Sequence, residues 1–141
     1  MTTAERAAVR ELITRHEGYR QHPYRCSAGK ITIGVGRNLD DVGIDREEAR
    51  YLLDRDIDRA ERDLATFPWW VAVDRVRQRA LIDKRFQLGP QGFRGFTKML
   101  AACARGDWGT AAAELLDSRY HQQVGARAER LAQQLVIGEW I

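Results

Sequence analysis

A change in hydrophobic period near the N-terminus is the feature that most constrains the fold. Up to Gly18 the apolar residues, such as Val9 and Leu12, recur every three or four positions, which is typical of an α-helix. Between Tyr24 and Leu39 apolar residues instead alternate with small or polar ones, as in ITIGVG, and the turn residues SAGK come just before. Alternation of this kind indicates strands. The sequence therefore predicts a small antiparallel sheet after a first helix.

Capping patterns define the ends of the first two helices. Two pairs have the spacing of a capping box, Thr2 with Glu5 and Asp45 with Glu48. In such a box each residue satisfies a backbone N–H that the first turn of the helix leaves unpaired. Gly18 offers a stop to the first helix, so Glu17 should be its last residue, and Pro68 should close the second helix.

The remaining sequence has a helical pattern interrupted by glycine and proline. The expected breaks are Gly89–Pro90, Gly106 before an Asp107 cap, Val124–Gly125 and Gly138. We therefore predict an α+β, mostly helical fold in a single domain, 1–141. It would comprise a small β-containing lobe at about 18–45, a connecting helix at about 46–66, and a larger helical lobe at about 69–141 that the first helix rejoins.

Composition excludes a membrane-spanning protein. The 141 residues are 44% hydrophobic and 30% charged, as in an ordinary globular domain. No run of about 18 apolar residues occurs, so we expect no stable membrane insertion. Because the N-terminus lacks the basic-then-apolar layout of a secretory signal, we expect the newly made chain to remain in the cytoplasm.

The charge balance slightly favours an anionic partner. There are 23 basic and 20 acidic residues, a net charge of +3, which suits nucleic acid or another anionic polymer. Acids and bases alternate along stretches such as DREEARYLLDRDIDRAERD, and such alternation usually marks solvated helix faces. A nucleic-acid binder is therefore the weaker alternative, and we predict no nucleic-acid partner.

Cysteine and histidine spacing predicts no cofactor. Cys26 and Cys103 are far apart and form no CxxC motif, so both should be reduced thiols. The three histidines, His16, His22 and His121, lack the spacing of a metal site.

The segment HEGYRQHPYRCSAGKITIGVG contains the candidate chemistry. Glu17 at a helix C-terminus faces the negative end of the helix dipole, which favours the protonated acid and predicts a proton donor. The Thr32 hydroxyl can orient a water, and Cys26 lies on the turn between the acid and the strand. Each residue also has a structural interpretation, as a solvated acid, a good strand former and an incidental thiol.

The longer segment HEGYRQHPYRCSAGKITIGVGRNL resembles the catalytic segment of the phage T4-type lysozymes, the muramidases of glycoside hydrolase family 24. The resemblance continues through RALIDKRFQLGPQGFRGF and GDWGTAAAELLDSRYHQQVGARAERLA, nearly to the end of the chain. In that family a Glu ending the first helix is the acid, an Asp nine residues on is the second catalytic group, and a Thr six further on helps to hold the attacking water. The matching positions are Glu17, Cys26 and Thr32.

The thiol at position 26 departs from the family pattern. A neutral thiol gives little charge to an oxocarbenium-like transition state, unless Arg25 or Lys30 lowers its pKa. We expect Cys26 to position water rather than to attack the sugar. The alternative is a catalytically impaired relative that only binds peptidoglycan.

The resemblance also assigns supporting and substrate-binding residues. Arg37 replaces a family His and is interpreted as a structural cation, whereas Arg127 matches an Arg beside the catalytic Glu, where it would favour the ionised form of Glu17 and oppose the effect of the helix end. The matches to cleft positions are Phe86, Gln87 and Arg119. The implied activity is that of a monomeric endolysin acting on peptidoglycan, released to the cell wall with a holin-type partner.

Lys84 is the least expected residue of the helical lobe. It lies three residues after Leu81 and four before Leu88 on an otherwise apolar helix face. Burial of an ammonium group is costly. We therefore expect Lys84 to snorkel, to pair with a carboxylate, or to lie on a less buried face.

Overall fold

The α+β fold class is confirmed by the computed structural model, which describes residues 1–117 and 125–141. Within those residues the helices are α1 (Thr3–Glu17), α2 (Arg46–Leu64), α3 (Arg75–Arg94), α4 (Thr97–Arg105), α5 (Trp108–Leu116) and α6 (Ala126–Ile137), with a 3-10 turn at Trp70–Ala72. The strands are β1 (Arg20–Arg25), β2 (Ile31–Gly34) and β3 (Arg37–Asn38). In the part of the chain so described, no helix is long and apolar enough to cross a bilayer.

The chain divides into two compact units. The N-terminal unit is Met1–Tyr51 and the C-terminal unit is Leu52–Ile141, so the division falls within α2. The predicted single domain, in which the first helix rejoins the helical lobe, stays a prediction.

Helix α1 begins and ends where its capping residues require. The Thr2 hydroxyl accepts from the Glu5 N–H at 3.2 Å, and the Glu5 carboxylate accepts from the Thr2 N–H at 2.6 Å. Gly18 ends the helix with φ 72°, and its N–H donates to the Thr14 carbonyl at 2.8 Å. Glycine suits this position because a Cβ disfavours positive φ. The prediction that Glu17 is the last helical residue is confirmed.

The sheet is antiparallel with the order β1-β2-β3, as predicted, but its first strand begins earlier than expected. Strand β1 starts at Arg20 rather than Tyr24, and its register against β2 shifts between these two residues. This part of the strand is polar and exposed, so the alternation that identifies a strand in a sequence is missing. Pro23 is tolerated there because β1 is an edge strand.

Helix α2 starts at the predicted capping box. The Asp45 carboxylate accepts from the Glu48 N–H at 2.9 Å, and Glu48 accepts from the Asp45 N–H at 2.9 Å. The helix ends at Leu64, two residues before the predicted end at 66, where the Thr66 N–H and hydroxyl both bond to the Asp63 carbonyl. That tighter turn ends the helix before Pro68 is reached.

In the C-terminal unit one apolar core includes residues from each of the described helices α2 to α6. Its fully buried side chains include Leu64, Leu81, Phe93, Met99, Leu115 and Leu135. Three of the predicted breaks are confirmed: Gly89 interrupts α3 with φ 74°, Gly106 ends α4 with φ 71° before the Asp107 cap, and Gly138 ends α6. Of the fourth, Gly125 precedes α6, whereas Val124 lies outside the described residues.

Lys84 is fully buried in this core, with 0% of its surface exposed. The apolar helix face is therefore as predicted, but snorkelling and a less buried position are both excluded. The Nζ atom lies 3.5 Å from the centroid of the Phe96 ring, whose electron-rich face attracts a cation. Burial lowers the pKa of Lys84 to about 7. Loss of the proton above this pKa therefore relieves the cost of burying a charge.

Candidate active site

The carboxyl group of Glu17 lies against the turn that joins β2 to β3. A Cβ placed on Gly36 would be 3.0 Å from Glu17 Oε2 and 3.2 Å from Cδ and Cγ. Gly36 has φ +66°, a conformation that glycine adopts without strain. The end of α1 and the Gly36 turn therefore hold the candidate acid at an exposed position of the N-terminal unit.

Cys26 begins the turn that joins β1 to β2. Its N–H donates to the Lys30 carbonyl at 3.0 Å, and the Gly29 N–H donates to the Cys26 carbonyl at 2.8 Å, which closes a four-residue turn. This geometry directs backbone N–H groups of Lys30 and Ala28 at the half-buried thiol. The Lys30 N–H is the largest cause that holds the pKa of Cys26 below its ordinary value, followed by the Ala28 N–H, while some burial opposes the shift and the Thr32 hydroxyl assists it.

The source of this shift differs from the predicted one. The Lys30 ammonium is paired with Asp41 at 3.1 Å, and the Arg25 guanidinium donates to the Gly29 carbonyl at 3.0 Å. Neither cation is among the causes of the lowered pKa of Cys26. Backbone N–H groups stabilise the thiolate instead, because a hydrogen bond to the charged form of an acid favours ionisation.

Thr32 lies in the middle of the central strand and is only 3% exposed. It is opposite Tyr24 on one side and Asn38 on the other. Its hydroxyl donates to the Lys30 carbonyl at 3.0 Å and also contacts the Cys26 thiol. A hydroxyl has one proton and two lone pairs. While that proton bonds to the Lys30 carbonyl, the lone pairs can accept from a water; when the proton turns to the sulfur instead, it stabilises the thiolate of Cys26 and lowers the pKa of that thiol.

The turn after Gly36 is anchored by an ion pair. Arg37 Nη1 donates to Glu48 Oε2 at 3.0 Å and to the Gly43 carbonyl at 3.1 Å, and Nη2 bonds to the other Glu48 oxygen. The pair lowers the pKa of Glu48, which also caps α2 through Asp45. A bidentate contact of this kind fixes orientation as well as charge. Sequence reasoning found Glu48 as a capping residue but missed its bond to Arg37.

The other predicted residues lie in the C-terminal unit. Phe86 is 44% exposed and lines a groove of about 380 Å³ together with Leu53, Ile57 and Arg127. Gln87 has a buried side-chain oxygen without a hydrogen-bond partner among the described residues. Arg127 Nε donates to Asp83 Oδ2 at 3.3 Å. Arg119 lies outside the described residues, and the place of Arg127 beside Glu17 stays a prediction.

The N-terminal unit thus holds a carboxyl group and a thiol–hydroxyl pair, which are the groups needed for proton donation and for orienting water. The part of the chain that the structure describes contains no cluster of three His, Cys, Asp or Glu residues that could hold a metal ion.

Comparison with known proteins identifies the family. The family model described as Phage lysozyme matches residues 14–134, a stretch that includes Glu17, Cys26 and Thr32. The chain is also similar to the Pre-baseplate central spike protein Gp5 of Enterobacteria phage T4, with 31% identity over 160 aligned residues. That alignment takes in 93% of this chain but 28% of the relative, so the chain spans little more than a quarter of the relative's length. The chain belongs to the phage lysozyme family.

Proposed function

We propose that the protein is a muramidase that hydrolyses the β-1,4 bond between N-acetylmuramic acid and N-acetylglucosamine in peptidoglycan. One observation carries this proposal. The N-terminal unit combines an exposed carboxyl group, which lies against the Gly36 turn, with a half-buried thiol whose pKa is lowered by backbone N–H groups. An acid and a second polar group that can direct water are the minimum that glycoside hydrolysis requires.

Glu17 acts as the general acid. It gives its proton to the glycosidic oxygen as the bond from that oxygen to the anomeric carbon breaks, and the sugar develops positive charge. Its exposed position at the end of α1 leaves the carboxyl group open to a polymer substrate.

Cys26 and Thr32 position the attacking water. The lowered pKa of Cys26 raises the fraction of thiolate, which can stabilise the positive sugar and take a proton from the water as the oxygen bonds to the anomeric carbon. The water attacks the face opposite the leaving group, so we expect inversion of the anomeric centre. Direct attack by the thiolate would instead give a glycosyl thioether and net retention.

A non-catalytic peptidoglycan-binding protein is the second candidate. It is favoured by the thiol at position 26, where the family most often has a carboxylate. The released sugar ends distinguish the two candidates, because a muramidase produces new N-acetylmuramic acid reducing ends from purified Gram-negative peptidoglycan. The binding protein would be supported if the wild type bound peptidoglycan but released no new reducing ends, as Glu17→Gln also would.

The biological setting is also a proposal. A monomer made in the host cytoplasm would reach the cell wall through a holin-type partner. Because the relative from phage T4 is described as a central spike protein, delivery as part of a phage particle is the alternative. Lysis from inside expressing cells only when a holin is coexpressed would support the first setting.

A further inference from the structure

Two glycines of the sequence GVG have the same φ angle but different surroundings. Gly34 and Gly36 both have φ +66°, so an L-residue would be strained at either position. A Cβ on Gly34 would meet nothing within 4 Å, whereas a Cβ on Gly36 would meet three atoms of the Glu17 side chain. Backbone conformation explains a glycine at both positions, but only Gly36 also leaves room for the candidate acid.

The contact at Gly36 is closer than ordinary packing allows. At 3.0 Å from a Cβ, Glu17 Oε2 is closer than nearly all Cβ contacts in proteins, and the two atoms would have to separate by a few tenths of an ångström. One partner would therefore have to move. The turn is held by the bonds of Arg37 to Glu48 and Gly43, whereas Glu17 is exposed and its side chain has several rotatable bonds. The carboxyl group, rather than the turn, would be displaced.

We propose that Gly36 is a positioning residue whose missing side chain fixes the place of the Glu17 carboxyl group. This inference rests on the proposed function, since it assumes that Glu17 is the acid. General acid catalysis requires the carboxyl oxygen to be within hydrogen-bond reach of the glycosidic oxygen. A displacement of about 1 Å can cost about a hundredfold in rate, so a shift of a few tenths of an ångström should cost about five- to tenfold. Gly36 thereby acts on the reaction through Glu17, without contact to the substrate.

The matched variants Gly36→Ala and Gly34→Ala test this inference. Both should lose a similar amount of thermal stability, because both place an L-residue at φ +66°. On purified Gram-negative peptidoglycan we expect kcat to fall by about five- to tenfold in Gly36→Ala with KM unchanged, and to stay close to that of the wild type in Gly34→Ala. The limb of the kcat–pH profile that reports the acid should move in Gly36→Ala alone. Equal losses of kcat in both variants would overturn the inference.

A second measurement separates this inference from the proposed function. The side-chain carboxyl carbon of Glu17 can be followed by NMR through a pH titration without any substrate. The titration midpoint should differ from that of the wild type in Gly36→Ala and not in Gly34→Ala. If the wild type releases no reducing ends but this difference is seen, the proposed function fails and the positioning contact stands. If the wild type is active and both variants titrate like it, the positioning role is refuted.

The corresponding Asn variants serve if an alanine variant does not fold. Asn tolerates positive φ better than Ala, and at position 36 its larger side chain meets Glu17 all the more closely. Gly36→Asn should therefore lose kcat and shift the Glu17 titration, whereas Gly34→Asn should do neither. The opposite pattern would contradict the inference.

Discussion

The two cysteine thiols have pKa values shifted in opposite directions, that of Cys26 by a turn of the N-terminal unit and that of Cys103 by the apolar core of the C-terminal unit. Backbone N–H groups lower the pKa of the half-buried Cys26. In the C-terminal unit burial raises the pKa of Cys103 to about 12 and lowers that of the neighbouring Lys84 to about 7. The N-terminal turn therefore favours the charged form of its thiol, and the helical core favours the neutral forms of both groups.

This difference shows that local donors, rather than residue type, decide which groups can do chemistry. An N–H pointed at a sulfur stabilises negative charge, whereas an apolar core penalises charge of either sign. Half-exposed groups at the sheet can therefore act in proton transfer, and the buried groups of the core affect stability instead. Five experiments test this division of roles.

Replacing the acid should have the largest effect. Glu17→Gln keeps the side-chain volume and removes the proton donor, so lytic activity should fall by about a hundred- to ten-thousandfold while the fold persists. Turbidity loss of permeabilised Gram-negative cells measures the activity, and circular dichroism the fold. Glu11→Gln is a matched control on the same helix, where Glu11 is exposed and paired with Arg15. Normal lysis by Glu17→Gln would show that the chemistry lies elsewhere.

Reactivity toward a small thiol reagent should separate the two cysteines. Burial raises the pKa of Cys103, so its thiolate fraction is about a thousandfold lower than that of an ordinary thiol. The thiolate of a high-pKa thiol is more nucleophilic, which offsets part of this difference in reactivity. We expect Cys26 to react about a hundredfold faster, with loss of activity in step with its labelling. Mass spectrometry of digested protein gives both rates. Equal rates would contradict the proposed contrast between turn and core.

Removing the thiol should have a smaller effect than removing the acid. Cys26→Ala leaves only Thr32 to orient water, so activity should fall by about tenfold or more. Cys26→Asp should remain active and become insensitive to the reagent, because a carboxylate restores the usual family pair. Cys103→Ala is the matched control and should keep full activity.

The anomeric form of the first product then decides how Cys26 acts. Inversion supports the positioning of water, whereas a trapped thioether with retention supports a nucleophile. Full activity of Cys26→Ala would exclude both roles.

Local signals predicted the helices well. The capping boxes of Thr2 with Glu5 and Asp45 with Glu48 act within one turn, so the sequence alone places them, and both are present. The start of β1 was missed because its first residues are polar and exposed, so no alternation of apolar residues identifies them as a strand. Their place in the sheet depends on pairing with β2, which a local pattern cannot reveal.

The candidate site was predicted as a set of residues but not as a set of contacts. Glu17, Cys26 and Thr32 were identified by resemblance, and their roles remain predictions. The N–H groups that lower the pKa of Cys26 depend on the shape of the turn, and the contact of Glu17 with Gly36 joins a helix to a distant loop. Neither the N–H groups near Cys26 nor the contact of Glu17 with Gly36 can be predicted from the types of residues that lie a few positions apart in the sequence.

The last test concerns the buried charge of the core, and its effect should be the smallest. Lys84→Met replaces the amine with an apolar chain of similar length, so the free energy of unfolding near neutral pH should rise by about 1 to 3 kcal/mol. The pKa of Lys84 falls from its ordinary value of 10.5 to about 7 in the folded protein. Between these two pH values the unfolded chain binds more protons than the folded protein, so the free energy of unfolding of the wild type rises with pH. The advantage of Met should therefore be greatest below pH 7 and shrink toward pH 10.5. Denaturant unfolding at several pH values measures it, with Lys98→Met as the exposed control. A difference that does not change with pH would show that Lys84 keeps its proton in the core, against the contrast drawn between the two units.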